Sequence, residues 1–105
     1  MRYTILVSKD VENELRSTYN HIADKNKKAA KKVAQKIEKR IKELSYFPFR
    51  NQIFEFQYKT IENIRRIVVY NFYILYAVLK NDVVFVFKIL YCGQDINKIE
   101  INFDN

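Results

Sequence analysis

The sequence is poor in the residues that usually punctuate or cross-link a small protein. It has one glycine, one proline, one cysteine, one histidine and no tryptophan. A lone Cys92 excludes an internal disulfide, and one cysteine with His21 is too little for a zinc site. With so few glycines and prolines, few places are left for the chain to turn. No uncharged run is long enough to span a bilayer either. The apolar stretch beginning at residue 65 is interrupted by Asn71, Lys80, Asn81, Asp82 and Lys88, so it reads as strands and not as a bilayer-spanning helix. The start, "MRYTILVSKD", has five apolar residues before Ser8, too few for the core of a signal peptide. A cytoplasmic protein with no membrane role is expected.

What the chain does have is apolar and cationic. Hydrophobic residues make up 49% and aromatics 15%, which argues against disorder and for a packed globule. At 105 residues, that globule is expected to be one domain, 1–105, with one modest core. Nineteen Lys and Arg against twelve Asp and Glu give a net charge of +7. Residues 25–42 alone hold nine bases against one acid, Glu38, so the excess sits in one segment. Such a balance suits a protein that meets nucleic acid, ribosomes or an acidic protein segment. A merely solvated helix face explains it equally well.

Periodicity then orders the elements. Tyr3 to Val7 is a short β-rich run, and Ser8 follows as a helix N-cap with Asp10 and Glu12 near the positive end of the helix dipole. Val11, Leu15, Tyr19 and Ile22 form one stripe, and Ala30, Val33, Ile37, Ile41 and Leu44 form a second. The first helix should end near Asp24 to Asn26, the second at "SYFPF", where Pro48 cannot continue it. Residues 45–63 show no clean period and read as a loop with at most one irregular strand. From 64 onward, three β-rich runs are split at Asn71 and at Lys80-Asn81-Asp82. The expected fold is α+β, order β-α-α-β-β-β, with both helices on one face of a mostly antiparallel four-stranded sheet.

Side-chain alternation sorts the faces of that sheet. A two-residue reversal at Asn81-Asp82 would set Leu75 opposite Lys88 and Val78 opposite Phe85. Ile74, Tyr76, Val78, Phe85, Phe87 and Ile89 would then lie under the helices. Tyr73, Leu75, Ala77, Val84, Val86 and Lys88 would face away, joined through a reversal at Asn71-Phe72 by Arg66, Val68 and Tyr70. The functional reading of that second face is a shallow cationic surface with tyrosines. The plainer one is a half-buried sheet from which Lys88 snorkels.

The order of elements, together with Arg65-Arg66, "FYILYAV" and "ILYCGQDI", resembles the RelE/ParE superfamily of bacterial toxins. The resemblance implies the toxin of a type II toxin-antitoxin module, a plasmid-stabilisation or addiction system, held inactive by a cognate antitoxin. RelE-like members cleave mRNA on the ribosome, whereas ParE-like members inhibit DNA gyrase without cutting anything themselves. The nuclease often carries an Arg where this chain has Tyr73, and a His followed by a Tyr where it has Tyr91 and Cys92. The ParE-like ending commonly reads His-Gly-x-Arg-Asp, and Gln94 stands here in place of the Arg.

Metal-independent RNA cleavage needs a base, an acid and cations around the phosphate. The candidates for those roles are Arg65, Arg66, Tyr73, Lys88 and Tyr91. Lys59, Gln94 and the helix residues Lys28, Lys32, Lys36 and Lys39 are the candidates for holding nucleic acid or another target. No metal or cofactor is called for. Net charge tips the expectation toward ribosome-associated mRNA cleavage, with gyrase inhibition as the alternative and a weakened toxin that only binds its antitoxin as a third reading.

Overall fold

A computed structural model describes residues 2–54 and 62–91, with Tyr91 described through its backbone alone. The elements are β1 (Thr4–Val7), α1 (Lys9–Ala23), α2 (Lys27–Glu43), β2 (Arg65–Val69), β3 (Phe72–Leu79) and β4 (Val83–Tyr91). They form the expected α+β arrangement, with sheet order β1-β4-β3-β2. The three later strands run antiparallel, and β1 lies parallel to β4, pairing Thr4 with Val83 through Val7 with Val86.

Local chemistry fixes both helix starts. Ser8 Oγ accepts from the Val11 N–H at 3.2 Å, and Asn26 Oδ1 accepts from the Ala29 N–H at 3.1 Å. Each satisfies a backbone donor that the first turn leaves without a partner. Asp10 and Glu12 occupy the first turn of α1, and Arg40 and Lys42 the last turn of α2, so both helices carry dipole-matched charge. Ser8 is buried, and its hydroxyl also donates to the Phe87 carbonyl at 3.5 Å, tying the start of α1 to β4.

The main core lies between the helices and the sheet. Val11 of α1 and Ile37, Ile41 and Leu44 in and after α2 meet Ile67, Val69, Ile74, Tyr76, Val84, Val86 and Ile89. The expected faces of β2 and β3 hold, but part of β4 is inverted. Val84 and Val86 lie under the helices, while Phe85 and Phe87 pack on the opposite side. The cause is a pair of offsetting shifts. The β3–β4 reversal is one residue longer than expected, with Leu79 opposite Val83 and Val78 opposite Val84. A β-bulge between Leu75 and Tyr76 in the ladder then leaves Phe87 as the extra residue and restores Leu75 opposite Lys88. Asn81 and Asp82 take φ of 63° and 57° in this reversal, a left-handed conformation that Asn and Asp tolerate better than most. The β2–β3 turn is also shifted by one, to Tyr70-Asn71, since Val69 pairs with Phe72.

The second face is not open. Ile64, Leu75, Ala77, Phe87 and Leu90 form a buried cluster there, flanked by Phe54, Tyr73 and Phe85. Residues 45–54 act as a strap that carries the chain from α2 to the free side of β2. Phe54 N–H donates to Ile64 O at 2.7 Å and Arg66 N–H to Gln52 O at 3.2 Å, which adds the single bridge Ile53–Arg65 to the sheet edge. Among the described residues, no helix is long and apolar enough to cross a membrane.

Candidate functional site

Three surfaces carry unusual chemistry, and each follows from how the strands and helices are joined. The first is the row across the sheet where the register aligns Arg66, Leu75 and Lys88. The Arg66 guanidinium lies 5.0 Å from the Phe54 ring centre and 4.8 Å from that of Tyr73, and the two rings meet edge to face at 5.8 Å. This is a cation held between two π-faces. Lys88 does not join it. Its Nζ reaches Glu14 of α1 at 2.8 Å, and its side chain is only 19% exposed, so its charge is neutralised locally.

The second surface is the strap with the polar network beneath it. Tyr76 Oη donates to the Pro48 carbonyl at 2.7 Å and accepts from Asn51 Nδ2 at 3.2 Å. Arg40 donates to Asn51 Oδ1 at 3.4 Å and to the Val68 carbonyl at 3.3 Å. Arg65 donates to the carbonyls of Asn51 at 2.6 Å and Phe49 at 3.3 Å. Burial raises the Tyr76 phenol pKa above its ordinary value, opposed by the Asn51 hydrogen bond and by the charges of Arg65 and Arg40. A phenol held neutral in this way acts as a structural donor and is a poor base.

Above that network the side chains turn outward. Pro48 is buried, while Tyr46, Phe47 and Phe49 are 53%, 53% and 57% exposed. Each of these rings has an arginine beside it: Arg2 at Tyr46 (5.4 Å), Arg50 at Phe47 (4.2 Å) and Arg65 at Phe49 (5.2 Å).

The third surface is a groove of about 630 Å³ between α1 and α2. Ile5 and Val7 of β1 line it together with Leu15, Tyr19 and Ile22 of α1 and Val33 of α2. Ala30 and Ala34 also line it, and their small side chains leave the helix pair unfilled at this point. Arg16, Lys42, Glu12 and Glu38 supply its charged lining. On the solvent side of α2, Lys28, Lys32, Lys36 and Lys39 are all exposed, and among the described residues none of the four is in an ion pair.

The structure thus brings Arg66 and Tyr73 together, places Arg65 under the strap, and turns Lys88 toward α1. Tyr91 ends β4 with only its backbone described, and Lys59 and Gln94 lie outside the described residues. Sequence reasoning missed Arg40, Asn51 and Tyr76 as a unit, and missed the outward aromatics. The available signal was "YFPF", a proline flanked by rings in a segment too irregular to bury them all.

Comparison with known proteins gives a consistent picture. The family model described as ParE toxin of type II toxin-antitoxin system, parDE, matches residues 5–96. Among solved structures, a chain of the chromosomal ParDE TA system from P. aeruginosa superposes with a TM-score of 0.67 at 14% identity. The superposition covers 86% of this chain and 96% of that one, and at such low identity it speaks for the fold alone. No curated protein matches the sequence.

Proposed function

This chain belongs to the ParE toxin family of type II toxin-antitoxin systems, and from that premise we propose that it arrests growth by inhibiting DNA gyrase, with no hydrolytic step of its own. The family match across residues 5–96 carries this reading. The geometry supports it, because two cations of the sheet are engaged in holding the fold. Lys88 neutralises Glu14, and Arg65 binds two backbone carbonyls. A phosphate-cleaving centre needs such charges directed at a substrate.

A toxin of this kind has a cognate antitoxin, which we place in the groove between α1 and α2. The apolar lining suits one face of an amphipathic helix or strand, and the lysine-rich outer face of α2 favours acidic residues on that segment. Toxin, antitoxin and target would then meet in the cytoplasm.

The test is a supercoiling assay with purified gyrase, ATP and relaxed plasmid. Added toxin should abolish supercoiling while leaving ribosome-bound mRNA intact. Unchanged supercoiling together with new mRNA ends on ribosomes would sink the gyrase reading. It would favour the alternative, ribosome-dependent mRNA cleavage, for which the Arg66–Tyr73 pair is the supporting observation.

A further inference from the structure

We infer that the strap, residues 45–54, is the surface with which this toxin grips its target protein. Phe47 and Phe49 are the apolar anchors, and Arg2 and Arg50 bind carboxylates beside them. The inference rests on the reading of the chain as a toxin that acts by binding another protein.

Four observations carry it. First, the burial pattern of the strap runs opposite to what folding alone favours. Pro48 is inside while the larger Phe47 and Phe49 on either side of it are more than half exposed. Rings so exposed contribute little to the core, and an exposed cluster of large apolar groups marks an interaction site.

Second, the backbone that displays these rings is immobilised. The Pro48, Phe49 and Asn51 carbonyls each accept a side-chain donor from the sheet, and the Ser45 carbonyl accepts the Tyr3 N–H at 2.7 Å. Outward side chains on a fixed backbone are pre-organised, so binding loses little conformational entropy.

Third, aromatic residues and arginine are the types enriched among residues that dominate protein–protein binding energy. A guanidinium beside a ring leaves its in-plane N–H donors available for a carboxylate. Among the described residues, the ion pair of Arg50 is a long one to Glu43, 3.7 Å, and its side chain is 58% exposed. Among the described residues, the local excess of Arg2, Arg50 and Arg65 over Glu43 favours an acidic partner.

Fourth, the rings are arranged unlike a stacking platform for nucleic-acid bases. Tyr46 and Phe47 are tilted by 45°, and Tyr3 meets Phe49 at 83°. Successive bases stack on accessible ring faces along a groove that tracks the phosphates. Here the rings point in different directions, and Tyr46, Phe47 and Phe49 each have a cation at one face, which favours an irregular protein surface.

The experiment compares the full chain with Phe47→Ala/Phe49→Ala and, separately, Arg50→Glu. Each is measured for thermal midpoint, growth arrest on induction in a bacterial host, and inhibition of purified gyrase. The double variant should keep its circular dichroism spectrum and raise the inhibitory concentration by about 100-fold or more, as loss of two anchors implies. Arg50→Glu, which leaves both rings in place, should raise it by about tenfold.

If the parent inhibits gyrase and both variants match it, the strap is excluded and the gyrase reading stands. If the parent leaves gyrase untouched, the gyrase reading fails, and growth arrest decides the strap on its own. Arrest retained by both variants overturns the proposal, and arrest lost in folded variants supports it with a different protein target. Binding of a fluorescent single-stranded oligothymidine by the parent, lost in the double variant, would replace the protein partner with nucleic acid and overturn the proposal.

Discussion

The α1–α2 groove and the strap expose apolar surface in opposite ways. The groove is lined mainly by aliphatic chains, alanines and Tyr19, with Glu12, Arg16, Glu38 and Lys42 as its charges and lysines on the outer face of α2. Such a site is a trough, and its occupant must bring a complementary apolar face. The strap is aromatic, with three exposed rings, a guanidinium beside each, on a backbone bound from below. The first suits an extended or helical segment that orders as it binds. The second suits a folded surface met as a rigid body. A toxin that must be both held silent and able to strike has reason to separate the two roles, even on surfaces that adjoin at Glu38 and Lys42 beside Tyr46.

That separation can be broken most strongly from the groove side. Ala34→Glu places a carboxylate in the lining of the groove, where the bound antitoxin would have to bury it. Co-expressed antitoxin should then fail to rescue growth, with its affinity for the purified toxin down by about 100-fold or more, while growth arrest by the toxin alone persists. Loss of arrest together with rescue would show that one surface serves both partners.

A second, smaller effect tests whether the strap is as rigid as its hydrogen bonds imply. Tyr76→Phe keeps the ring but removes the hydroxyl from Pro48 O and Asn51. It should lower stability by about 1–3 kcal/mol, read from denaturant unfolding. The same group gives a pH signature. The folded-state pKa of Tyr76 lies above that of the unfolded chain. The unfolded state therefore releases its proton first, near pH 10, and binds fewer protons than the native state from there upward. The contribution of Tyr76 is fully present below about pH 10 and is lost as pH rises toward the folded-state value. Thermal midpoints measured between about pH 9 and 11.5 should fall more steeply for the parent than for Tyr76→Phe. Parallel curves would mean that the phenol is not held as described.

The smallest effect concerns the sheet. Lys88→Met breaks the contact with Glu14, a partly exposed pair, and should cost no more than about 1 kcal/mol. Its growth arrest should match that of the parent at equal expression. Complete loss of arrest in a folded Lys88→Met protein would return this lysine to the functional site and favour the nuclease reading.

The fold was legible in the sequence wherever periodicity and caps agreed. Ser8 and Asp10 announced α1, the Ala30 to Leu44 stripe announced α2, and Pro48 lies just beyond its end. The inverted half of β4 was not legible, because Phe85 and Val84 are both good strand residues and either can face the core. The choice was made by the length of the reversal and by the bulge at Phe87, neither of which leaves a residue-type signature here. The candidate site was read less well for a related reason. Isolated cations on a strand look available in sequence, yet Lys88 finds Glu14 across 74 positions of chain. The strap was hidden because its order comes from Arg40, Arg65 and Tyr76, which belong to three different elements.

The parallel pairing of β1 with β4 also sets a timetable for the newborn chain. β1 leaves the ribosome early, but among the described residues its one neighbour in the sheet is β4, with Thr4 waiting for Val83. At roughly 5–20 residues per second, that wait lasts several seconds. β4 occupies an interior position, between β1 and β3, so the sheet cannot close around a shorter transcript of itself. A chain that stops short of β4 leaves β1, and with it the floor of the groove, without its partner in the sheet. The described sheet closes only once β4 has emerged, and a ready antitoxin has that interval in which to be waiting for it.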